Sequence, residues 1–142
     1  MTPDLLFRIG SILALSGWAI LALTPLAPRA VLFVSGIVLP LTLCALYAIA
    51  AALWLPTAPG GFDSLANVQL LFTDPGAATA GWIHFLAFDL LVGAWIVRDA
   101  RAASLPHIAV LPCLFATLML GPVGLLSWLG LRTLLTRKAT LA

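Results

Sequence analysis

The sequence predicts an all-α integral membrane protein, a bundle of about four transmembrane helices. Apolar residues make up 63% of the 142-residue chain and charged residues only 8%, whereas ordinary soluble domains carry about 25% charged residues. Long apolar runs also recur between segments rich in proline and glycine, and each run is close to the roughly 20 residues that a membrane-spanning helix needs. The length suits one domain, so we treat residues 1–142 as a single transmembrane domain.

Two apolar runs near the N-terminus predict the first two spans. The first covers residues 5–23 and ends at the segment TPLAPRA. The second covers residues 30–55 and ends at LPTAPGG, where prolines and glycines interrupt the helix. Both runs are long enough to cross the hydrocarbon core of a bilayer.

The third span, residues 76–97, has a clear start signal. Asp74 is a natural N-cap, and Pro75 suits the first helical turn because no N–H partner is needed there. We therefore expect a regular helix from this point to the charged segment RDAR.

The predicted fourth span, residues 105–132, is unusually long. At about 1.5 Å per residue it would extend roughly 42 Å, against a hydrocarbon core of ~30 Å. It contains the segment GPVG at residues 121–124, and a proline inside a helix removes a hydrogen bond and clashes with the preceding turn. We therefore predict a kink at GPVG. Five spans is the weaker alternative, because each half alone is too short to cross.

The segment FDSLANVQLLF, residues 62–72, predicts a short interfacial helix between the second and third spans. Asp63, Ser64 and Asn67 share one side of its helical wheel, and apolar residues lie roughly opposite. With four full spans, the basic residues divide four against three between the two sides of the membrane. The orientation therefore stays open at this point.

Charge and cysteine pattern exclude several kinds of site. The net charge of +2 is spread thinly, without the basic stripe that nucleic-acid binding requires. Cys44 and Cys113 lie in apolar runs without metal-ligand spacing, and the histidines and aspartates are too sparse for a metal site. The GPVG segment is not a phosphate-binding loop. We therefore expect no metal, no cofactor and no nucleic-acid partner.

An aspartate in the middle of the third span is the main functional signal. Asp89 at this depth costs roughly 2.5–3.5 kcal/mol on insertion scales, so it must face the interior of the bundle, protonated or paired. It is either part of a functional site or a hydrogen-bonding group that holds helices together. His84 lies about 140° away around the same helix. Both residues can line one cavity only if neighbouring helices wrap this span on two sides.

Two further groups of residues are candidate substrate contacts. Aromatic and amide side chains near the polar positions form the first group: Trp82, Phe88, Trp95 and Asn67. Polar residues at the end of the third span and the start of the fourth form the second group: Arg98, Asp99 and His107. For Arg98 and Asp99 the main interpretation is a solvated turn that marks the helix end. Together with His107, they fit a lipid head-group site or a plain interfacial anchor equally well.

Two segments of the second half carry a resemblance, WIHFLAFDLLVGAWIVRDAR and then PHIAVLPCLFATLMLGPVGLLSWL. Together they resemble the abscisic acid-deficient four-like family of small integral membrane proteins. The similarity is closest over residues 55–132, and the combination of polar residues in the first string with the GPVG turn carries it. In bacterial members of that family we expect a basic residue at position 94 and an acidic residue at position 96. This chain has Ala94 and Ile96 there.

This resemblance implies a role in carotenoid metabolism, because plant members are linked to the formation of neoxanthin. That reaction opens an epoxide and removes a nearby carbon-bound proton without net redox change, so it needs an acid and a base. We assign Asp89 as the acid and His84 as the base, and the two roles can be exchanged.

Three functions stay open for the chain. It is a cofactor-independent carotenoid or isoprenoid isomerase, a non-catalytic carotenoid- or lipid-binding accessory protein, or a structural membrane protein whose polar residues only join helices. The expected partners are membrane lipids, an isoprenoid ligand, and a second copy or a carotenoid-pathway enzyme. Preference for arginine over lysine, with abundant alanine, leucine and proline, suggests a bacterial chain in the cytoplasmic membrane.

Overall fold

The computed structural model describes residues 1–136, which form six α-helices and no β-strand. The helices are α1 (Pro3–Ala22), α2 (Pro28–Trp54), α3 (Leu65–Leu71), α4 (Pro75–Ala102), α5 (His107–Leu120) and α6 (Pro122–Thr136). The all-α prediction is confirmed.

Three of these helices, α1, α2 and α4, are long and apolar enough to cross a membrane. They correspond to the first three predicted spans, with their ends shifted by a few residues. Asp74 is the N-cap of α4, as predicted, and its Oδ1 accepts a hydrogen bond from the Ala77 N–H at 2.8 Å. α3 confirms a short helix between the second and third spans, and its place at the membrane interface stays a prediction.

α4 is the central helix, because α1, α2, α5 and α6 all pack against it. Its buried residues lie on several sides rather than on one stripe. Gly93 marks a close approach of α1: a Cβ atom there would come within 2.6 Å of the Trp18 ring. The condition stated above, that neighbours wrap the third span on more than one side, is therefore met.

α2 contains one π-helical turn, Val34–Val38, and its sequence suggests the cause. Pro40 has no N–H, so the carbonyl oxygen of Gly36, four residues earlier, cannot receive its usual helical hydrogen bond. The Arg98 side chain of α4 reaches this turn, where its Nη2 donates to the carbonyl oxygens of Leu32 and Gly36, each at 3.4 Å. Gly36 leaves room for the guanidinium, since a Cβ there would lie 2.6 Å from Nη2.

The predicted fourth span is not one kinked helix, because α5 and α6 form a helical hairpin. α5 starts close to the end of α4 and runs back along it until Gly121 lies against Asp89. α6 then returns, so that Trp128 contacts Asp99. Asp89 and Asp99 are about 15 Å apart along α4. The hairpin therefore runs along about 15 Å of α4, half of the ~30 Å thickness of a hydrocarbon core, before it turns back.

Gly121 explains why the chain reverses instead of kinking. Its φ of 50° lies in the region that favours glycine, so α5 ends there. Pro122 then occupies the first position of α6, where a missing N–H costs little. Gly124 packs directly on the backbone of Thr117, which brings the two helices close together at the turn. The GPVG segment thus ends one helix and begins another.

Because the hairpin turns back, most of the described basic residues lie at one end of the bundle. This end, the basic end, holds four of the five basic residues within the described part of the chain: Arg29, Arg98, Arg101 and Arg132. The opposite end, the acidic end, holds the N-terminus, Arg8 and three aspartates: Asp4, Asp63 and Asp74. Residues 1 and 136 therefore lie at opposite ends, whereas four full spans would place both at the same end. Arg137 and Lys138 follow in the sequence and lie outside the described residues.

Candidate functional site

His84 lies among aromatic rings on the outer face of α4. Its imidazole stacks on the Phe88 ring, with centroids 4.7 Å apart and an interplanar angle of 28°. The Tyr47 ring of α2 meets the imidazole edge-on at 5.3 Å, and the Phe85 ring does so at 6.1 Å. One helical turn separates His84 from Phe88, so α4 alone brings these two together. Tyr47 joins them because α2 packs on α4.

A cavity of about 190 Å³ lies beside this aromatic group, between α2, α4 and the segment around α3. Its polar side chains are His84 and Tyr47, and its other walls are apolar or aromatic. Phe62 and Phe85 in its wall are 76% and 60% exposed, so the cavity opens to the outside of the bundle, where lipid would surround the chain. A ligand that ends in an apolar ring with few polar groups would fit a cavity of this kind.

The segment around α3 closes the cavity toward the acidic end. Ser64 caps the helix, since its Oγ accepts a hydrogen bond from the Asn67 N–H at 3.2 Å. Gly60, at a φ of 82°, lies against the carbonyl oxygen of Asn67, where a side chain would collide with the backbone. The residues that this segment places in the cavity wall are Phe62, Leu71 and Phe72.

Asn67, a predicted substrate contact, is engaged with its own segment. Its Nδ2 donates to both carboxylate oxygens of Asp63, at 2.8 and 3.1 Å. The hydrogen bond from Asn67, together with backbone hydrogen bonds, lowers the pKa of the Asp63 carboxyl. Asn67 therefore stabilises the segment that covers the cavity, and it is not among the residues that line it.

A second apolar groove continues from Phe88 along α4 toward the basic end. It measures about 430 Å³ and lies between α4 and α6. Its wall consists of Phe88, Leu91, Val92, Trp95, Leu125 and Leu129. Phe88 in the groove wall stacks on His84 in the cavity wall, so the two walls are in contact there, although no described residue lines both spaces. From His84 to Trp95 this surface extends about 16 Å along α4, so a long apolar molecule can lie there with one end at His84.

Asp89 lies near the middle of α4, as predicted, but it faces the hairpin rather than the cavity. A side chain at Gly121 would come within 2.8 Å of its Oδ1. α6 begins at the next residue, so Asp89 lies beside the start of that helix. Asp89 lines neither the cavity at His84 nor the groove that follows it. The structure therefore does not bring together the two residues assigned as acid and base.

Trp82 points toward α1 instead of the cavity. Its Nε1 donates to the Ser11 Oγ at 3.2 Å, and its ring stacks on Phe7 with centroids 5.7 Å apart. Trp95, by contrast, lies in the groove between α4 and α6. The two tryptophans that flank the polar positions in sequence thus lie on different sides of α4.

The three polar residues predicted near the membrane surface are each engaged with the protein. Arg98 binds the π-helical turn of α2, and the His107 Nε2 lies 3.0 Å from the carbonyl oxygen of the last residue of α1. Asp99 is buried, so a solvated turn is wrong for this residue. It accepts a hydrogen bond from the Trp128 Nε1 at 2.9 Å and forms an ion pair with the Arg132 Nε at 2.6 Å. These residues hold helix ends together.

A comparison with known protein families finds one family that matches the chain. The family model described as ABA DEFICIENT 4-like matches residues 5–128, which is most of the sequence. The chain belongs to the ABA DEFICIENT 4-like family. No curated protein and no solved structure matches it. The resemblance drawn from the sequence is confirmed, and membership indicates a membrane protein related to carotenoid and neoxanthin metabolism.

Two positions where charged residues are expected in bacterial members of the ABA DEFICIENT 4-like family lie in the core. Ala94 and Ile96 are both fully buried. A charged side chain at either position of this chain would enter the packed interior of the bundle. Neither position lines the cavity at His84. Across residues 1–136, no three histidine, cysteine, aspartate or glutamate side chains are grouped so that they can hold a metal ion.

Sequence reasoning missed one residue of the cavity in this ABA DEFICIENT 4-like chain and the two partners of Asp99. Tyr47 shares the cavity with His84, and its one signal in the sequence is that it is the only tyrosine. Trp128 and Arg132, four residues apart on α6, are the partners of Asp99. Their spacing places them on one face of a helix, but nothing local connects that face to Asp99.

Proposed function

We propose that this member of the ABA DEFICIENT 4-like family isomerises a carotenoid or a related isoprenoid, without a cofactor, in the cavity at His84. The observation that carries the proposal is an imidazole held among aromatic rings in a cavity that opens toward lipid. Family membership supports the class of substrate, and the groove that continues along α4 offers room for an extended apolar chain.

His84 is the base in this proposal. A neutral imidazole nitrogen can accept a proton, and histidine is the most frequent general base in enzymes. The surrounding rings exclude water from a substrate ring bound against them, which favours proton transfer over hydrolysis. Asp89 is not assigned to the same step, because it faces the hairpin turn on another side of α4.

Product analysis in a host that makes an epoxide-bearing carotenoid tests the proposal. We expect His84→Ala to lower the rate of product formation by about 10²- to 10⁴-fold, the usual contribution of a general base. Trp82→Phe is the matched control, because Trp82 lies one helical turn before Phe85 but packs on α1; it should keep wild-type activity.

Both variants must be compared at equal amounts of inserted, helical protein. If His84→Ala forms product at the wild-type rate, the cavity at His84 is not the reaction site. If the wild-type protein retains pigment after purification but never converts it, the chain is a carotenoid-binding accessory protein instead of an isomerase.

We further propose that the chain lies in the bacterial cytoplasmic membrane with its basic end toward the cytoplasm. Positively charged residues near the ends of spans favour the cytoplasmic side, and four of five described basic residues lie at the basic end. The cavity at His84 lies in the half of α4 nearer the acidic end. In this orientation it receives its substrate from the outer leaflet.

A further inference from the structure

We infer that Tyr47 is a further catalytic residue of the proposed isomerisation, and that it supplies the proton that Asp89 is not placed to give. This inference rests on the proposed function of the cavity at His84. It assigns to Tyr47 a hydrogen bond to the oxygen of a bound substrate ring, and it makes Tyr47 and His84 an acid–base pair.

The geometry of the cavity supports this pairing. Tyr47 comes from α2 and His84 from α4, and their ring centroids lie 5.3 Å apart at an interplanar angle of 66°. Both residues line the same cavity, and the rest of its wall is apolar or aromatic. A substrate oxygen in this cavity therefore meets one hydroxyl donor and one imidazole.

The chemistry of the two side chains suits their roles. A phenol is neutral near pH 7 and can donate its O–H, whereas an imidazole can accept a proton. Tyrosine hydroxyls in buried positions usually have a hydrogen-bond partner, and Tyr47 is only partly exposed. A polar group on a bound ring would provide that partner inside an otherwise apolar wall.

The step balances without any further reactant. The phenol of Tyr47 gives its proton to the epoxide oxygen as one C–O bond breaks, and the oxygen becomes a hydroxyl. His84 takes a proton from the adjacent carbon, and the electron pair of that C–H bond forms the new C=C bond. The proton on the imidazolium then goes back to the phenolate, which restores both side chains, and no electrons are gained or lost overall.

Tyr47→Phe is the first test, because it removes only the hydroxyl and keeps the ring that packs on His84. With purified protein in micelles and added epoxide-bearing carotenoid, we expect kcat to fall about 10²- to 10⁴-fold with little change in KM. Leu46→Met on the same helix is a packing control that should keep activity. Wild-type kcat in Tyr47→Phe overturns the inference, and so does an effect confined to KM, which would make the hydroxyl a binding group only.

A second test uses the fact that the chain has a single tyrosine. Global replacement of tyrosine by a fluorotyrosine changes Tyr47 alone, and fluorination makes the phenol a stronger acid without removing it. Because the acid must be protonated to act, activity should fall at a lower pH than in the unmodified protein. An unchanged pH profile overturns the role of Tyr47.

The two proposals fail in distinguishable ways. Absence of product with the wild-type protein refutes the proposed function itself. An active wild type, an inactive His84→Ala and a fully active Tyr47→Phe refute only the assignment of Tyr47.

Discussion

Replacing Asp99 by alanine tests how the hairpin is held against α4. The Asp99 carboxylate is buried, accepts a hydrogen bond from Trp128 and forms an ion pair with Arg132, whose side chain is only 12% exposed. Removing one partner of a buried ion pair takes away a charge interaction that offset the cost of burial, and this loss is about 3–5 kcal/mol. We therefore expect Asp99→Ala to lower the free energy of unfolding by that amount.

Two further variants separate the contributions of the hydrogen bond and of the ion pair to this loss of stability. Trp128→Phe removes the hydrogen bond to a charged acceptor and part of a fully buried ring, so it should cost at least about 1.5–3 kcal/mol. The double variant Asp99→Ala/Arg132→Met removes both charges and leaves the Trp128 N–H without its acceptor, so its expected deficit is about 1–3 kcal/mol. The double variant should thus be more stable than Asp99→Ala alone.

The free energy of unfolding can be measured in mixed micelles by titration with a denaturing detergent, with loss of helical circular dichroism as the signal. A cost below about 1 kcal/mol for Asp99→Ala would contradict the role of this cluster, given the buried-pair penalty above. A double variant no more stable than the single one would show that the loss of the Asp99 charge beside Arg132 is not the cause.

Three further predictions follow from the hairpin and the π-helical turn. Gly121→Ala should lower the free energy of unfolding by about 1–3 kcal/mol, because its φ of 50° is strained for alanine and the added methyl meets Asp89. The control Gly130→Ala, in a helix with open space around it, should cost nothing. Equal losses of stability in the two variants would refute the role of Gly121 in the turn. Arg98→Met should cost about 1–2 kcal/mol by the same measurement, since it leaves the π-helical turn without the Arg98 donor. The control Arg101→Met, at an exposed position, should change the stability by less than about 0.5 kcal/mol. An equally small effect of Arg98→Met would refute the role of Arg98 in stabilising the π-helical turn. A fluorescent protein that folds only in the cytoplasm should fluoresce when fused to the C-terminus and stay dark at the N-terminus, whereas signals at both ends would indicate an even number of spans.

Much of the fold follows from local signals in the sequence. Long apolar runs predict α1, α2 and α4, because a helix is the one way for a single segment to satisfy its backbone hydrogen bonds in lipid. Asp74 and Pro75 define the start of α4 through interactions within one helical turn. Ser64 does the same for α3. These signals need no information from the rest of the chain.

Less of the candidate site could be predicted in this way. His84 and Phe88 lie one turn apart on the same helix, so their contact follows from helical spacing. Tyr47 lies on a different helix, and its position at the cavity depends on how α2 is rotated against α4. A π-helical turn lies between the start of α2 and Tyr47, and such a turn changes that rotation in a way that hydropathy does not report.

The sequence by itself determined that this chain is a helical membrane protein with a carboxyl group at the middle of its third span. Only the tertiary structure decided that the last segment reverses at Gly121, that Asp99 finds its partners on α6, and that His84 and Asp89 face different neighbours. The physical reason is that lipid-facing and helix-facing surfaces in a membrane are both apolar, so composition does not distinguish them. Close packing between helices, which involves residues far apart in the chain, determines the arrangement.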